Sequence, residues 1–196
     1  MLQTLVRRLQ EDDPGLAAHG HRVAGLAHSI GTSLGLGPER LRRLHVACTL
    51  HDIGKVDVDQ GVLWKPGPLV GAEWDEIRRH PELGYKIVRG LVHAEIAETV
   101  LCHHERFDGT GYPHGRRGDA IPLLARILTV ADAFDAMTSD RCYQPALSIE
   151  FALNEIQAHA GSQFDPRVVE ALQDMAHHGL FRSPERELEG MVAVAS

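Results

Sequence analysis

The residues that could do chemistry gather around His51-Asp52, an imidazole and a carboxylate side by side in the stretch His51-Asp52-Ile53-Gly54-Lys55. One such pair cannot fill a metal's coordination shell. Later segments offer more donors: His80 ahead of Pro81, the adjacent His103-His104, and Asp132 in a run of small and apolar residues. His19, far upstream, joins the set. These five histidines and two aspartates exceed the three or four protein ligands that one zinc ion takes. They point to two divalent cations, with Asp52 as the natural bridge. Nitrogen and oxygen donors without thiolate favour iron or manganese over a structural zinc. Cations held in this way activate water, so the donor set reads as a multi-metal hydrolytic site. Lys55, one turn beyond His51, is placed to neutralise a phosphate oxygen, and with Asp52 it is the candidate catalytic residue.

Donors so far apart in sequence need helices to aim them. Pro14, after two aspartates, is a helix start, and Leu16, Val23, Leu26, Ala27, Ile30 and Leu34 follow at helical spacing. His19 falls on that stripe. His21 lies roughly 200° around the helix from it, so only one of the two faces inward. Gly35 and Gly37 end this helix and Pro38 opens the next, on which Leu41, Leu44, Cys48 and His51 share a face. Residues 56–74, rich in Gly and Pro, read as a long loop. A helix near 71–80 is expected to turn Trp74 and Ile77 inward. Pro81 starts another, and 93–104 carries Ile96, Val100, His103 and His104 along one side. Residues 105–120 form a glycine-rich loop directly after the two histidines. The helix over 122–137 places Leu124, Leu128, Ala131, Asp132 and Asp135 on one face, where carboxylates are costly unless paired or coordinated. Helices near 148–160 and 165–179 follow.

With no strand-length alternation, the fold expected is all-α, a bundle of about seven to eight helices around a dinuclear metal site. Residues 1–13 read as an N-terminal helix that either packs on the domain or couples it to another. Residues 14–182 read as the catalytic domain and 183–196 as a tail. Each donor also has a plain reading: a lone inward histidine is commonly a satisfied core residue, and Asp132 could pair with Arg126 or Lys55. Those readings must account for seven positions separately.

The composition narrows the partners. A net charge of −7, from 20 basic and 27 acidic residues among 196, argues against a nucleic-acid polymer. It leaves room for a small anion, because bound cations reverse the local sign. Three cysteines without a CxxC pair fit a reducing compartment better than a disulfide framework. No apolar run approaches the ~20 residues of a membrane span, and the start lacks a secretory signal, so the expected location is cytoplasmic.

Four blocks carry a family resemblance. HDIGK at 51–55, HPELG at 80–84, HHERFDGTGYP at 103–113 and VADAFDAMTSDR at 130–141 resemble the HD-GYP family of bacterial cyclic di-GMP phosphodiesterases, within the HD phosphohydrolases. The likeness runs from about residue 15 to the QFDP at 163–166. It implies an all-α domain, an iron or manganese centre and hydrolysis of cyclic di-GMP to pGpG and on to GMP. It assigns His19, rather than His21, as the early ligand, with His51, Asp52, His80, His103, His104 and Asp132 as the others. It implies substrate contacts at Lys55 and at Gly111, Tyr112 and Pro113; by position alone, Asp135, one turn after Asp132, could orient water, a ligand or a guanine edge, and Arg141 and Gln144 could reach a phosphate or a base. The 105–120 loop would also meet a signalling partner, and the N-terminal helix could couple to a sensor domain or to a second copy in a homodimer. Two positions depart from the pattern. Gly15 stands where members with a third metal carry a glutamate, which leaves two metals. Gln144 stands where a basic residue is usual, which weakens a phosphate contact. Beside this reading stand an HD-type phosphohydrolase acting on another nucleotide, and a metal-retaining module that binds without turnover.

Overall fold

The computed structural model describes residues 14–140 and 145–179. The helix expected over 2–12, the tail at 183–196, and Arg141 and Gln144 lie outside the described residues. Those described form helices and connecting loops without a strand, apart from an isolated bridge between Ala160 and Phe164. The helices are α1 (Pro14–Ser33), α2 (Pro38–Leu50), α3 (Gln60–Leu63), α4 (Ala72–Ile77), α5 (His80–Val88), α6 (Ala94–Cys102), α7 (Leu123–Thr138), α8 (Ile149–Ala158) and α9 (Pro166–His177).

Proline sets the starts of α2 and α9, where its missing N–H and fixed φ cost nothing. Ser148 caps α8 by accepting from the Phe151 amide, and Asp165 caps α9 by accepting from the Arg167 amide. The main core joins α1, α2, α7, α8 and α9 through Val23, Ile30, Leu44, Leu128, Ile156 and Leu172, all fully buried. A second cluster of Leu50, Ile53, Val88, Ala97 and Val100 packs α2, α5 and α6 together. The site lies where these two cores meet.

Close backbone approach fixes that meeting point. Gly54 lies against the start of α5, and a Cβ there would strike the His80 carbonyl and the Gly84 amide. Only a residue without a side chain lets the His51-Asp52 turn and the helix that begins with His80 touch.

The structure corrects two expectations. The 56–74 segment is not a continuous loop: a 3₁₀ turn spans Ile53–Asp57, and α3 follows, capped by Asp59 accepting from Val62 N. Trp74 does not face inward; it is 48% exposed. Helix α4 has only six residues, too few for a stripe to define an inner face. It is tied down by an ion pair between Lys65 and Glu73 at 2.7 Å.

Candidate metal centre

Three of the histidines are aimed by the same local device. A helix C-terminus leaves its last carbonyls without intrahelical partners. His51, just past α2, donates Nδ1–H to the Cys48 carbonyl at 2.7 Å. His80 does the same to Ile77 of α4 at 2.7 Å, and His103, just past α6, to Val100 at 2.6 Å. Each ring therefore carries its proton on Nδ1 and turns Nε2 toward a common space. His19 reaches that space from α1, its Nδ1 held by Asp135 rather than by a carbonyl.

The donors form two neighbouring groups. His80, His103 and His104 make one, and His19, His51 and Asp52 the other; within each, the ligating atoms lie within 4.8 Å of one another. Asp52 stands between them, with Oδ2 3.3 Å from His51 Nε2 and Oδ1 3.4 Å from His80 Nε2. Asp132, from α7, brings Oδ1 to 3.0 Å from His19 Nε2. The structure thus gathers all seven donors that the sequence puts forward. Asp132 takes His19 as its partner, not Arg126, which pairs with Asp165 at 2.6 Å and Asp119 at 2.7 Å.

The electrostatics suit cations. Burial, followed by the neighbouring imidazoles, holds His103 well below the ordinary range, and burial brings His104 down to about 4. Both rings are neutral near pH 7. His19 behaves oppositely: burial opposes its charge, but hydrogen bonds to Asp132 and Asp135 outweigh that and raise it to about 9. Burial also disfavours ionised Asp52, yet Lys55 and His51 hold its carboxyl well below the usual range. Lys55 Nζ sits 2.6 Å from Asp52 Oδ2 with its side chain 30% exposed, so it reaches the centre and the solvent side together.

The most telling contact joins His80 Nε2 and His103 Nε2, 3.1 Å apart and buried. Each ring has its one proton engaged on Nδ1, so two lone pairs face each other across that gap. Such an arrangement is unfavourable without a positive charge on it, and a shared cation supplies one. Outer partners on Nδ1 with Nε2 turned to the ion are the usual dress of metal-bound histidine. The two donor groups are candidate sites for a divalent metal.

The loop after His104 closes one side. Tyr112 stacks on His104, ring centroids 4.8 Å apart at 24°, and burial pushes its phenol up to about 12. Gly111 passes so close to His104 and Glu105 that a Cβ would meet the His104 carbonyl at 2.6 Å. Pro113 follows in the same turn. Sequence reasoning passed over Glu105: it is buried, and its carboxylate accepts from the amides of His114 (2.8 Å) and Arg116 (3.0 Å). Asp135, placed by the sequence to orient water, a ligand or a guanine edge, is engaged by His19 and by Arg22, another residue left out of the sequence reading. The i,i+3 spacing of His19 and Arg22 was the available signal.

A family model described as the HD domain matches residues 3–168. This chain belongs to the HD domain family. Among curated relatives, the cyclic di-GMP phosphodiesterase response regulator RpfG of Xanthomonas campestris is 42% identical over 87% of this chain and 46% of its own length. A cyclic di-GMP phosphodiesterase of Thermotoga maritima is 37% identical over 78% of this chain and 42% of its own length. The chain thus spans less than half the length of these two relatives. Among solved structures, a cyclic GMP-AMP specific phosphodiesterase of Vibrio cholerae shares the fold, with a TM-score of 0.69 at 23% identity, covering 97% of this chain and 51% of that one. No helix among the described residues is long and apolar enough to cross a membrane.

Proposed function

We propose that this chain is a metal-dependent phosphodiesterase that opens cyclic di-GMP to linear pGpG. The observation that carries the reading is the facing pair of imidazole lone pairs between His80 and His103, set in a buried ring of further donors. One cation would be held by His80, His103 and His104, and the other by His19, His51 and Asp132, with Asp52 serving both. When bound, such ions acidify water and polarise phosphate oxygens. Nitrogen and oxygen donors favour iron or manganese.

The chain's own groups supply the rest. Lys55, touching Asp52 and open to solvent, presents an ammonium to a phosphate oxygen as charge develops on it. Tyr112 covers the face of His104 and keeps water off that ring. Asp52 stays ionised under the influence of Lys55 and His51, ready to ligate without first losing a proton. Relatives named as cyclic di-GMP phosphodiesterases support the choice of substrate. A Vibrio cholerae relative named a 3′3′-cGAMP-specific phosphodiesterase, 38% identical over 82% of this chain, supports a second reading in which the mixed dinucleotide is cleaved.

The test is elemental analysis followed by product analysis. Protein stripped with chelator and reloaded anaerobically with Fe(II) or Mn(II) is incubated with cyclic di-GMP or 3′3′-cGAMP. Two ions per chain and linear product from cyclic di-GMP are expected. Replacing His51 and Asp52 together with Ala should remove metal and turnover at once. Absence of bound metal, or turnover that survives the double replacement, overturns the proposal.

A further inference from the structure

Two aspartates one turn apart on α7 face the same histidine. Asp132 Oδ1 lies 3.0 Å from His19 Nε2, and Asp135 Oδ2 lies 2.7 Å from His19 Nδ1. Either could serve as a ligand on the grounds of type and position. Their surroundings separate them. Asp135 receives four donors: His19 Nδ1 and Arg22 Nη2 (2.9 Å) on Oδ2, and Arg22 Nε (2.7 Å) and Ser139 Oγ (3.2 Å) on Oδ1. A carboxylate offers about four lone-pair sites, so Asp135 has no capacity left for a cation or a substrate group. Asp132 keeps an oxygen free of these contacts.

The guanidinium of Arg22 is the outermost member of this chain of contacts. It approaches Asp135 as a fork, with two parallel bonds that fix the plane of the carboxylate. That plane in turn fixes the ring of His19. Arg22 lies three residues after His19 on α1, so one helix supplies both the donor and the residue that steers it. Its side chain is 49% exposed, yet it holds a carboxylate that is 8% exposed.

We infer that Arg22 is a positioning residue for the metal centre, locking Asp135 onto Nδ1 of His19 so that Nε2 is presented for ligation and Asp132 is left as the ligating carboxylate. It acts through Asp135 and touches neither cation nor substrate. The inference rests on the dinuclear reading above.

Calorimetric titration of chelator-treated protein with Mn(II), with the Co(II) visible spectrum as a report on coordination geometry, tests it. The parent chain is compared with R22A, R22K, D135N and the R22A/D135N double variant. Loss of an outer partner of a metal-bound histidine lowers affinity by about 10–100-fold. That loss is expected in R22A and D135N at one of the two sites, with the other unchanged. R22K, offering a point charge in place of a fork, should fall between R22A and the parent. Because Arg22 acts through Asp135, the double variant should be no weaker than the weaker single variant. Should R22A fail to fold, R22K and D135N carry the same comparison. Two tight parental sites that persist unchanged in R22A, equal weakening of both sites, or multiplicative losses in the double variant overturn the role of Arg22 alone. A parent that binds no metal overturns the dinuclear reading and this inference with it.

Discussion

One methyl group added at Gly54 should separate the two halves of the site. A Cβ there meets backbone, the His80 carbonyl and the Gly84 amide, and not the flexible end of a side chain. The only relief is to push α5 away from the His51-Asp52 turn. Overpacking of this kind costs about 1–3 kcal/mol, and in a domain of this size each kcal/mol lowers Tm by about 2–4 °C. G54A should therefore melt about 2–12 °C below the parent. The displacement also carries His80 away from Asp52 Oδ1, now 3.4 Å from its Nε2. Mn(II) should then bind the His80, His103 and His104 group at least tenfold more weakly. The control is G25A, the same chemical change on the exposed face of α1. There a Cβ meets nothing within 4 Å. Alanine in a helix interior is favoured over glycine by up to about 1 kcal/mol, so G25A should gain a few degrees and keep its metal affinity. Differential scanning calorimetry and metal titration of both variants check the pair. A G54A protein with parental Tm and parental metal affinity would refute the reasoning.

The proton on His19 gives a pH dependence. Its folded value is raised to about 9 from an ordinary 6.5, so the metal-free fold gains stability that is complete below about 6.5 and is lost as pH rises through about 9. The shift corresponds to about 3 kcal/mol, and urea titrations of chelated protein at pH 6 and pH 10 should show the decline. Metal binding should run the other way, releasing about one proton near pH 7.5 and tightening with pH until about 9, which calorimetry in buffers of different ionisation enthalpy measures. E105A should leave the amides of His114 and Arg116 without their acceptor, so hydrogen exchange at those two positions should accelerate at least tenfold while two cations still bind. D165A should leave buried Arg126 with only the exposed Asp119 and remove the cap of α9. A loss of about 3 kcal/mol, or roughly 6–12 °C in Tm, is expected by thermal denaturation.

Much of the bundle is legible in the sequence because its punctuation is local. Pro38 and the glycines at 35 and 37 mark the end of α1 and the start of α2, and the stripe from Val23 to Ile30 is the stripe that the core buries. Five of the seven donors are legible for a related reason: imidazole and carboxylate side chains on apolar stripes are costly unless paired or coordinated. What escaped depends on partners that periodicity does not reveal. Glu105 is held by backbone amides, which no residue type announces. Asp135 shares a helical face with Asp132, but its four donors arrive from α1 and from Ser139, so its role was set by another helix. Trp74 looked apolar and inward, yet a helix as short as Ala72–Ile77 has no stripe to read, and the ring stays in solvent.

The bonds from His51, His80 and His103 to carbonyls three residues back have a consequence for ion exchange. Each ring is oriented by its own turn of backbone and not by the ion or by a distant helix. Rings held in this way would keep their aim whether or not a cation is bound. Little ordering free energy would then be spent in binding a cation.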